Sequence, residues 1–171
     1  MRSQHPQGGY STRLLRKAAH EFLTELGLSG ELSVLLVDDK AIRLLNRQWR
    51  KKDQPTDVLS FGQKPQAASR KPQAGRTLGD VVISLDTARR QAREGGWPLA
   101  AELRRLLAHG ILHCLGHDHQ RPAEALKMAR AERRLLGREG MVGRSLAEPE
   151  RSRKATAPWP SSLRRARVGR R

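Results

Sequence analysis

The chain has 171 residues and carries 34 Lys and Arg against 17 Asp and Glu, so its formal net charge is +17. This length predicts one domain of about 100–150 residues with tails. A single cysteine excludes a disulfide scaffold and a Cys-rich zinc module. No apolar run approaches the ~20 residues that span a bilayer, and the polar N-terminus lacks the apolar segment of a secretory signal. We therefore expect a cytoplasmic protein with a polyanionic partner, nucleic acid ahead of a membrane surface.

Apolar periodicity and end signals predict alternating helices and strands. In chain order these are a helix from about 11 to 26, a strand over 32–37, a helix over 40–50, a strand over 58–61, a strand over 80–85, a helix over 86–95, a helix over 98–115 and a helix over 122–136. Ser11 and Thr12 are the predicted N-caps of the first helix. Ile42, Leu44 and Leu45 are predicted to face inward. The alternation indicates an α/β or α+β class.

Composition divides the chain into three parts. Residues 1–10 are predicted to be a flexible N-terminus, 11–140 the folded domain, and 141–171 a disordered basic tail, because Arg, Ser, Pro and Gly cannot form a core there. Within the domain, 63–76 has no apolar period and is predicted to be a flexible loop. The tail carries +7 of the net charge and the rest of the chain +10.

The strongest chemical signal is a histidine cluster, since four of the six histidines lie within the eleven residues 109–119. His109 and His113 are four residues apart on a predicted helix, which places both imidazoles on one face. Gly116 breaks that helix, so His119 can return to complete a triangle. Three imidazoles around Zn²⁺ leave an open fourth position for water, which is the catalytic form of a zinc site. The metal can lower the pKa of that water to about 7.

The spacing H-x-x-x-H-x-x-G-x-x-H is shared with metzincin metallopeptidases, whose first histidine is followed by a glutamate general base. Gly110 occupies that position here, which disfavours a peptidase. Asp118 either orients a ligand or handles protons, or it is a turn residue that caps the next helix. His117 either packs outside the site or is a fourth ligand. Cys114 is predicted to be a small buried residue.

Four sequence blocks, in order over roughly residues 28–137, carry a resemblance to a known family. The blocks are Leu45-Asn46-Arg-x-Trp-Arg50 followed by Pro55-Thr56-Asp57-Val58-Leu59-Ser60-Phe61, then Leu78-Gly79-Asp80-Val-Val-Ile-Ser84, then His109-Gly-x-Leu-His-x-x-Gly-x-Asp-His119, and last Met128 with Glu132. With these blocks the chain resembles the YbeY endoribonucleases, also called rRNA maturation factors. His117 departs from the pattern, because Tyr or Phe is more common at that position.

The resemblance implies a zinc-dependent, single-strand-specific endoribonuclease that matures the 3′ end of small-subunit (16S) rRNA and acts in ribosome quality control. It implies one Zn²⁺ per chain, held by His109, His113 and His119, with Arg50 beside the metal. The expected fold is α+β, a single domain in which a small mixed sheet packs with about five helices, one of them a metzincin-like zinc helix. The implied partners are rRNA, small-subunit ribosomal proteins and an assembly GTPase, with no membrane partner.

Phosphodiester cleavage needs charge stabilisation at the nonbridging oxygens, which a guanidinium beside a metal supplies. With the resemblance, Arg50 is a predicted catalytic residue, although by itself it suits a cation at a helix C-terminus. Asp118 is the other predicted catalytic residue, as a group that handles protons or orients a ligand. Thr56, Asp57 and Ser60 are the predicted substrate-binding wall, and Thr and Asp before a strand are also ordinary turn residues.

Three questions stay open at the level of sequence. The basic tail either grips rRNA phosphates without reading sequence or is a solvated extension. Residues 1–10 either leave the sheet one strand smaller than the family's or pair with it despite their polar composition. The alternative function is a non-catalytic ribosome-assembly or RNA-binding factor in which zinc is structural.

Overall fold

A computed structural model describes residues 1–62, 77–117 and 121–137. The elements are β1 (Arg2–Ser3), α1 (Gly9–Glu25), β2 (Glu31–Val37), α2 (Asp39–Arg50), β3 (Val58–Gly62), β4 (Thr77–Ser84), α3 (Leu85–Gly95), α4 (Leu99–Cys114) and α5 (Pro122–Leu136). The predicted loop over 63–76, the predicted site residues Asp118 and His119, and the predicted tail over 141–171 lie outside the described residues.

The four described strands form one mixed sheet in the order β1-β2-β4-β3. β1, β2 and β4 are parallel, while β3 runs antiparallel to β4 at the edge. Of the two alternatives open for residues 1–10, the structure has the pairing: Arg2 and Ser3 lie beside Leu35 and Leu36. The backbone N–H of Gln4 continues this pairing by donating to the Leu36 carbonyl at 2.9 Å.

The alternation of side chains along β4 separates two apolar layers, because successive residues of a strand point to opposite faces. Val81 and Ile83 belong to the main core, which contains α1, α4 and α5. Val82 belongs to a smaller core on the opposite face, where it packs with residues of β3 and α2. The result confirms the predicted α+β class: a small mixed sheet with five helices in the described ranges.

Two local predictions are wrong. α1 begins at Gly9 with Gly8 as its N-cap and no side-chain cap, and the Thr12 hydroxyl instead donates to the Gly8 carbonyl at 2.7 Å. Leu44 is 57% exposed rather than inward-facing. The reason is geometric, since Ile42 already points at the sheet and Leu44, two residues later, lies about 200° further around a helix with 3.6 residues per turn.

The Asp39 carboxylate links the carboxyl ends of β2 and β4. It accepts hydrogen bonds from the hydroxyls of Ser84 and Thr87 and from the Arg90 guanidinium. Burial raises the pKa of Asp39, but the three hydrogen bonds outweigh it and leave that pKa below its ordinary value. Asp39 is therefore a structural anion at the N-terminus of α2.

α4 is the central helix and is buried along most of its length. Pro98 precedes it and Gly116, at φ +95°, follows it, as the sequence predicts. None of the helices in the described ranges has the combined length and hydrophobicity that a bilayer crossing requires.

Candidate metal centre and active site

The C-terminal half of α4 brings two imidazoles together. The Nε2 atoms of His109 and His113 lie 3.1 Å apart, and the ring centroids are separated by 4.5 Å. His113 is buried, and the side chain of His109 is 19% exposed. The predicted four-residue spacing therefore places the two rings edge to face, with their outer nitrogens converging.

Each ring is held through its other nitrogen. His109 Nδ1 lies 2.6 Å from Oε1 of Glu132, a buried residue of α5. His113 Nδ1 lies 3.0 Å from the backbone carbonyl oxygen of His117. A carboxylate and a carbonyl can only accept, so both Nδ1 atoms carry the proton and donate. In the neutral rings the lone pairs are then on Nε2, where a metal ligand needs them.

The pair fits a zinc ion. Ligand nitrogens at the usual Zn–N distance lie about 3.3 Å apart at two corners of a tetrahedron, close to the 3.1 Å that separates the two Nε2 atoms. Two lone pairs facing each other at this distance require a cation or a shared proton between them. Within residues 1–62, 77–117 and 121–137 no third His, Cys, Asp or Glu completes a ligand set. The predicted third ligand, His119, lies outside these ranges.

Gly110, which replaces the peptidase glutamate, is where α4 lies closest to the sheet. A Cβ at this position would lie 2.6 Å from Cγ1 of Val81 and 3.4 Å from Oγ of Ser60. Val81 is completely buried in β4. Any side chain at position 110 would therefore overlap the sheet, so the absence of the glutamate follows from packing.

Arg50 is the last residue of α2, and its Nε is buried. The neighbouring Trp49 ring packs edge to face on Phe61 of β3, with centroids 5.8 Å apart. Phe61 pairs with Asp80, whose carbonyl lies 3.7 Å from Sγ of Cys114 at the end of α4. The C-terminal ends of α2 and α4 therefore lie at the same end of the β3–β4 pair, on opposite faces of the sheet.

The predicted substrate-binding residues Asp57 and Ser60 have different surroundings. Asp57 is occupied structurally: one carboxylate oxygen accepts from the Val58 N–H and the Thr56 hydroxyl, and the other accepts from Gln91. Ser60, in contrast, lies on the α4 face of β3 beside Gly110. Ser60 is thus next to the helix that carries His109 and His113, while Asp57 fixes the start of β3.

A buried arginine offsets the acidic groups around α4. Burial lowers the pKa of Arg105, but the hydrogen bonds from its guanidinium to Glu102 and the charges of Glu102, Asp57 and Glu132 outweigh it, so that pKa is raised. The side chains of Glu102 and Glu132 are almost completely buried. Arg105 therefore supplies the positive charge that these carboxylates need in a dry interior.

Two contributions to the site are not evident in the sequence. Glu132 lies 23 residues from His109 and has no spacing signal, although it belongs to the last block of the family resemblance. His117 contributes its backbone carbonyl, whereas the sequence suggests only its ring as a ligand.

Burial raises the pKa of the Cys114 thiol to about 12, with a further contribution from the charge of Asp80. Cys114 is thus the small buried residue that the sequence predicts.

Comparison with known proteins identifies the family of this site. The family model described as Endoribonuclease YbeY matches residues 7–140. A protein of Anaeromyxobacter dehalogenans named endoribonuclease YbeY is 55% identical over 154 residues, which are 90% of this chain and 77% of the relative. An Aquifex aeolicus protein of the same name is 50% identical over 117 residues, 68% of this chain and 75% of the relative. The solution structure of a Thermotoga maritima protein has the same fold, with a TM-score of 0.52 at 24% identity over 86% of this chain and 97% of that one.

Proposed function

The chain belongs to the YbeY family of endoribonucleases, and we propose that it is an RNA-cleaving hydrolase that cuts single-stranded RNA during maturation of the 3′ end of small-subunit (16S) rRNA. The proposal is carried by one observation beyond the family: the converging Nε2 atoms of His109 and His113, 3.1 Å apart, each held through its Nδ1. This arrangement prepares two metal ligands within a chain of net charge +17, which attracts a polyanion.

The proposed cofactor is one zinc ion, held by His109, His113 and His119. When bound, it supplies a Lewis acid for phosphoryl oxygens and lowers the pKa of a water ligand. The protein's own part is to hold the ligand rings still. Glu132 fixes the ring of His109, and the His117 carbonyl fixes the ring of His113.

Arg50 is the proposed electrostatic catalyst. Its guanidinium can donate two parallel N–H groups to nonbridging phosphate oxygens, where negative charge grows as the phosphodiester breaks. The proposal is supported by the neighbouring Trp49, which packs on Phe61 near the end of β3 that lies beside Cys114 of α4. Asp118 is proposed to orient a ligand or to accept a proton.

Thr56 and Ser60 are the proposed substrate contacts, because their hydroxyls can donate to phosphate or ribose oxygens. Ser60 is favoured by its place beside Gly110 on the α4 face of β3. Asp57 is proposed to act indirectly, since both of its carboxylate oxygens already accept hydrogen bonds that fix the start of the strand.

Gly110 argues against peptide hydrolysis at this centre. A metzincin peptidase takes its general base from the residue after the first histidine. A side chain at position 110 would clash with Val81, with even Cβ only 2.6 Å from Cγ1. The helix therefore excludes that base by packing.

The cellular setting belongs to the same proposal. We propose a cytoplasmic enzyme that acts in ribosome quality control and meets rRNA, small-subunit ribosomal proteins and an assembly GTPase. Net positive charge on the chain favours docking on rRNA through phosphate contacts, which depend on salt rather than on sequence.

The test combines zinc analysis with cleavage of a single-stranded RNA by the full-length protein and its variants. His113→Ala should lose zinc and cleavage together. Arg50→Ala should keep zinc and lose cleavage by about 10²–10³-fold, the usual cost of removing one charge-stabilising donor. Arg16→Ala, at an exposed position of α1, is the matched arginine control and should leave both unchanged.

Each outcome has a definite meaning. Cleavage that survives both His113→Ala and Arg50→Ala in nuclease-free preparations would contradict the proposed site. A wild-type protein that binds zinc and RNA stoichiometrically but cuts no RNA would instead support the alternative, a non-catalytic assembly factor with structural zinc.

A further inference from the structure

We infer that Glu132 is a positioning residue of the metal centre: its carboxylate sets the tautomer and the orientation of His109, so that Nε2 is aimed at the cation. The inference rests on the zinc site proposed above and extends it to a residue of α5 outside the predicted ligand set. It starts from one contact, the 2.6 Å between Glu132 Oε1 and His109 Nδ1.

Burying the Glu132 carboxylate costs free energy that its partners must offset. Its side chain is only 3% exposed, and an ionised carboxylate out of water is strongly unfavourable unless it is paired. A glutamine or an apolar residue of similar volume would fill the same space in α5 without that cost. A carboxylate at this place is therefore explained by what it does for its partner.

The surrounding helix holds the carboxylate in place. Glu132 lies one turn after Met128 and one turn before Leu136, and both of these side chains are packed in the main core. Residues four apart share one face of a helix, so the face of α5 that carries Glu132 is pressed onto the core. Arg105 adds a positive charge close enough to interact with Glu132.

The two ligand rings are held unequally. His113 Nδ1 donates to a neutral carbonyl, that of His117, whereas His109 Nδ1 donates to a carboxylate. A carboxylate partner both fixes the tautomer and makes the opposite nitrogen a better electron donor. Glu132 therefore makes His109 the more strongly donating ligand of the pair.

A merely structural role for Glu132 makes different predictions. Substitution would then lower the free energy of unfolding and leave zinc affinity and the tautomer of His109 unchanged in the molecules that fold. Two readouts separate the roles: zinc affinity of the folded protein, measured by competition with a chelating dye, and the ¹⁵N chemical shifts of His109 in the metal-free protein.

The variants are Glu132→Gln, which keeps the volume and removes the charge, and Glu132→Ala, which removes the acceptor. Zinc affinity should fall by about 10-fold in the first and by up to about 100-fold in the second. In metal-free Glu132→Gln the population of His109 protonated on Nε2 should rise, because the new amide can donate to Nδ1.

Asp39→Asn is the matched control. Asp39 is a partly buried carboxylate at the start of α2 that accepts from the hydroxyls of Ser84 and Thr87 and from the Arg90 guanidinium. Its substitution should lower stability and leave zinc affinity within about twofold of wild type, since the hydrogen bonds that it removes involve neither histidine nor Glu132.

Zinc affinity of Glu132→Gln within twofold of wild type, with unchanged His109 shifts, would overturn the inference even if Glu132→Ala fails to fold. A wild-type protein that binds no zinc would overturn the proposed cofactor, and the inference with it. Loss of zinc affinity equal in Glu132→Gln and Asp39→Asn would also overturn it, because the effect would then follow from destabilisation.

Discussion

The close contact between Gly110 and β4 predicts that Gly110→Ala lowers the free energy of unfolding. A second substitution, in β4, should reverse the sign of that effect. Gly110→Ala places a methyl group 2.6 Å from Cγ1 and 3.1 Å from Cγ2 of Val81. Val81 is fully buried and β-branched, so its side chain has little freedom to move away. Overpacking of this kind costs about 1–3 kcal/mol, and alanine returns about 1 kcal/mol through helix propensity. We expect a net loss of up to about 2 kcal/mol in the free energy of unfolding.

Val81→Ala removes both methyl groups that the new Cβ would meet. In that background Gly110→Ala should stabilise the protein by about 1 kcal/mol, the helix-propensity gain alone. The interaction energy between the two sites is then about 1–3 kcal/mol, within the range that contacting residues show. Urea denaturation of the wild type, both single variants and the double variant measures it directly.

The reasoning is refuted if Gly110→Ala stabilises the protein in both backgrounds. That result would mean that α4 does not approach β4 as closely as the structure has it. Packing would then no longer explain why position 110 carries no peptidase glutamate.

Three further predictions concern other parts of the molecule. Asp39→Asn should lower the free energy of unfolding by about 1–3 kcal/mol near neutral pH. Because the folded-state pKa of Asp39 lies below the ordinary value of 3.8, this difference should persist above pH 3.8 and shrink as the pH falls through the folded-state pKa. Acid titration of the stability of both proteins measures it. Asn46→Ala removes the 2.7 Å hydrogen bond from the buried amide to the Gln54 carbonyl and should slow RNA cleavage through Arg50, which lies one helical turn later on α2, while zinc content stays constant. Unchanged cleavage would contradict this. Deleting 141–171 should weaken RNA binding and flatten its salt dependence while zinc is retained. Each lost phosphate contact removes about 0.7 from the slope of log K against log salt concentration for a single strand. An equal slope would show that the tail makes no such contact.

The sequence predicts most element boundaries because their signals are local. The pattern predicts the last helix over 122–136, and the structure has it there, since Pro122 suits a first helical turn and Gly137 ends it. The spacing of His109 and His113 likewise predicts convergence, because a helix fixes the positions of residues four apart.

The rest depends on distant contacts that no local pattern encodes. Arg2 and Ser3 form a strand only because β2 offers an edge, and two polar residues have no period to detect. Glu132 reaches His109 only after α5 has packed against α4. The hydrophobicity of Leu44 predicts burial, but its angular position on α2 makes it face solvent.

The most direct measurement of the central claim is an anomalous difference map, recorded at the zinc absorption edge from crystals of the full-length protein as purified. We predict one peak per chain between Nε2 of His109 and Nε2 of His113, about 2.1 Å from each. A peak elsewhere on the chain, or no peak together with a refined 3.1 Å contact between the two nitrogens, would show that the pair shares a proton and would contradict the metal centre.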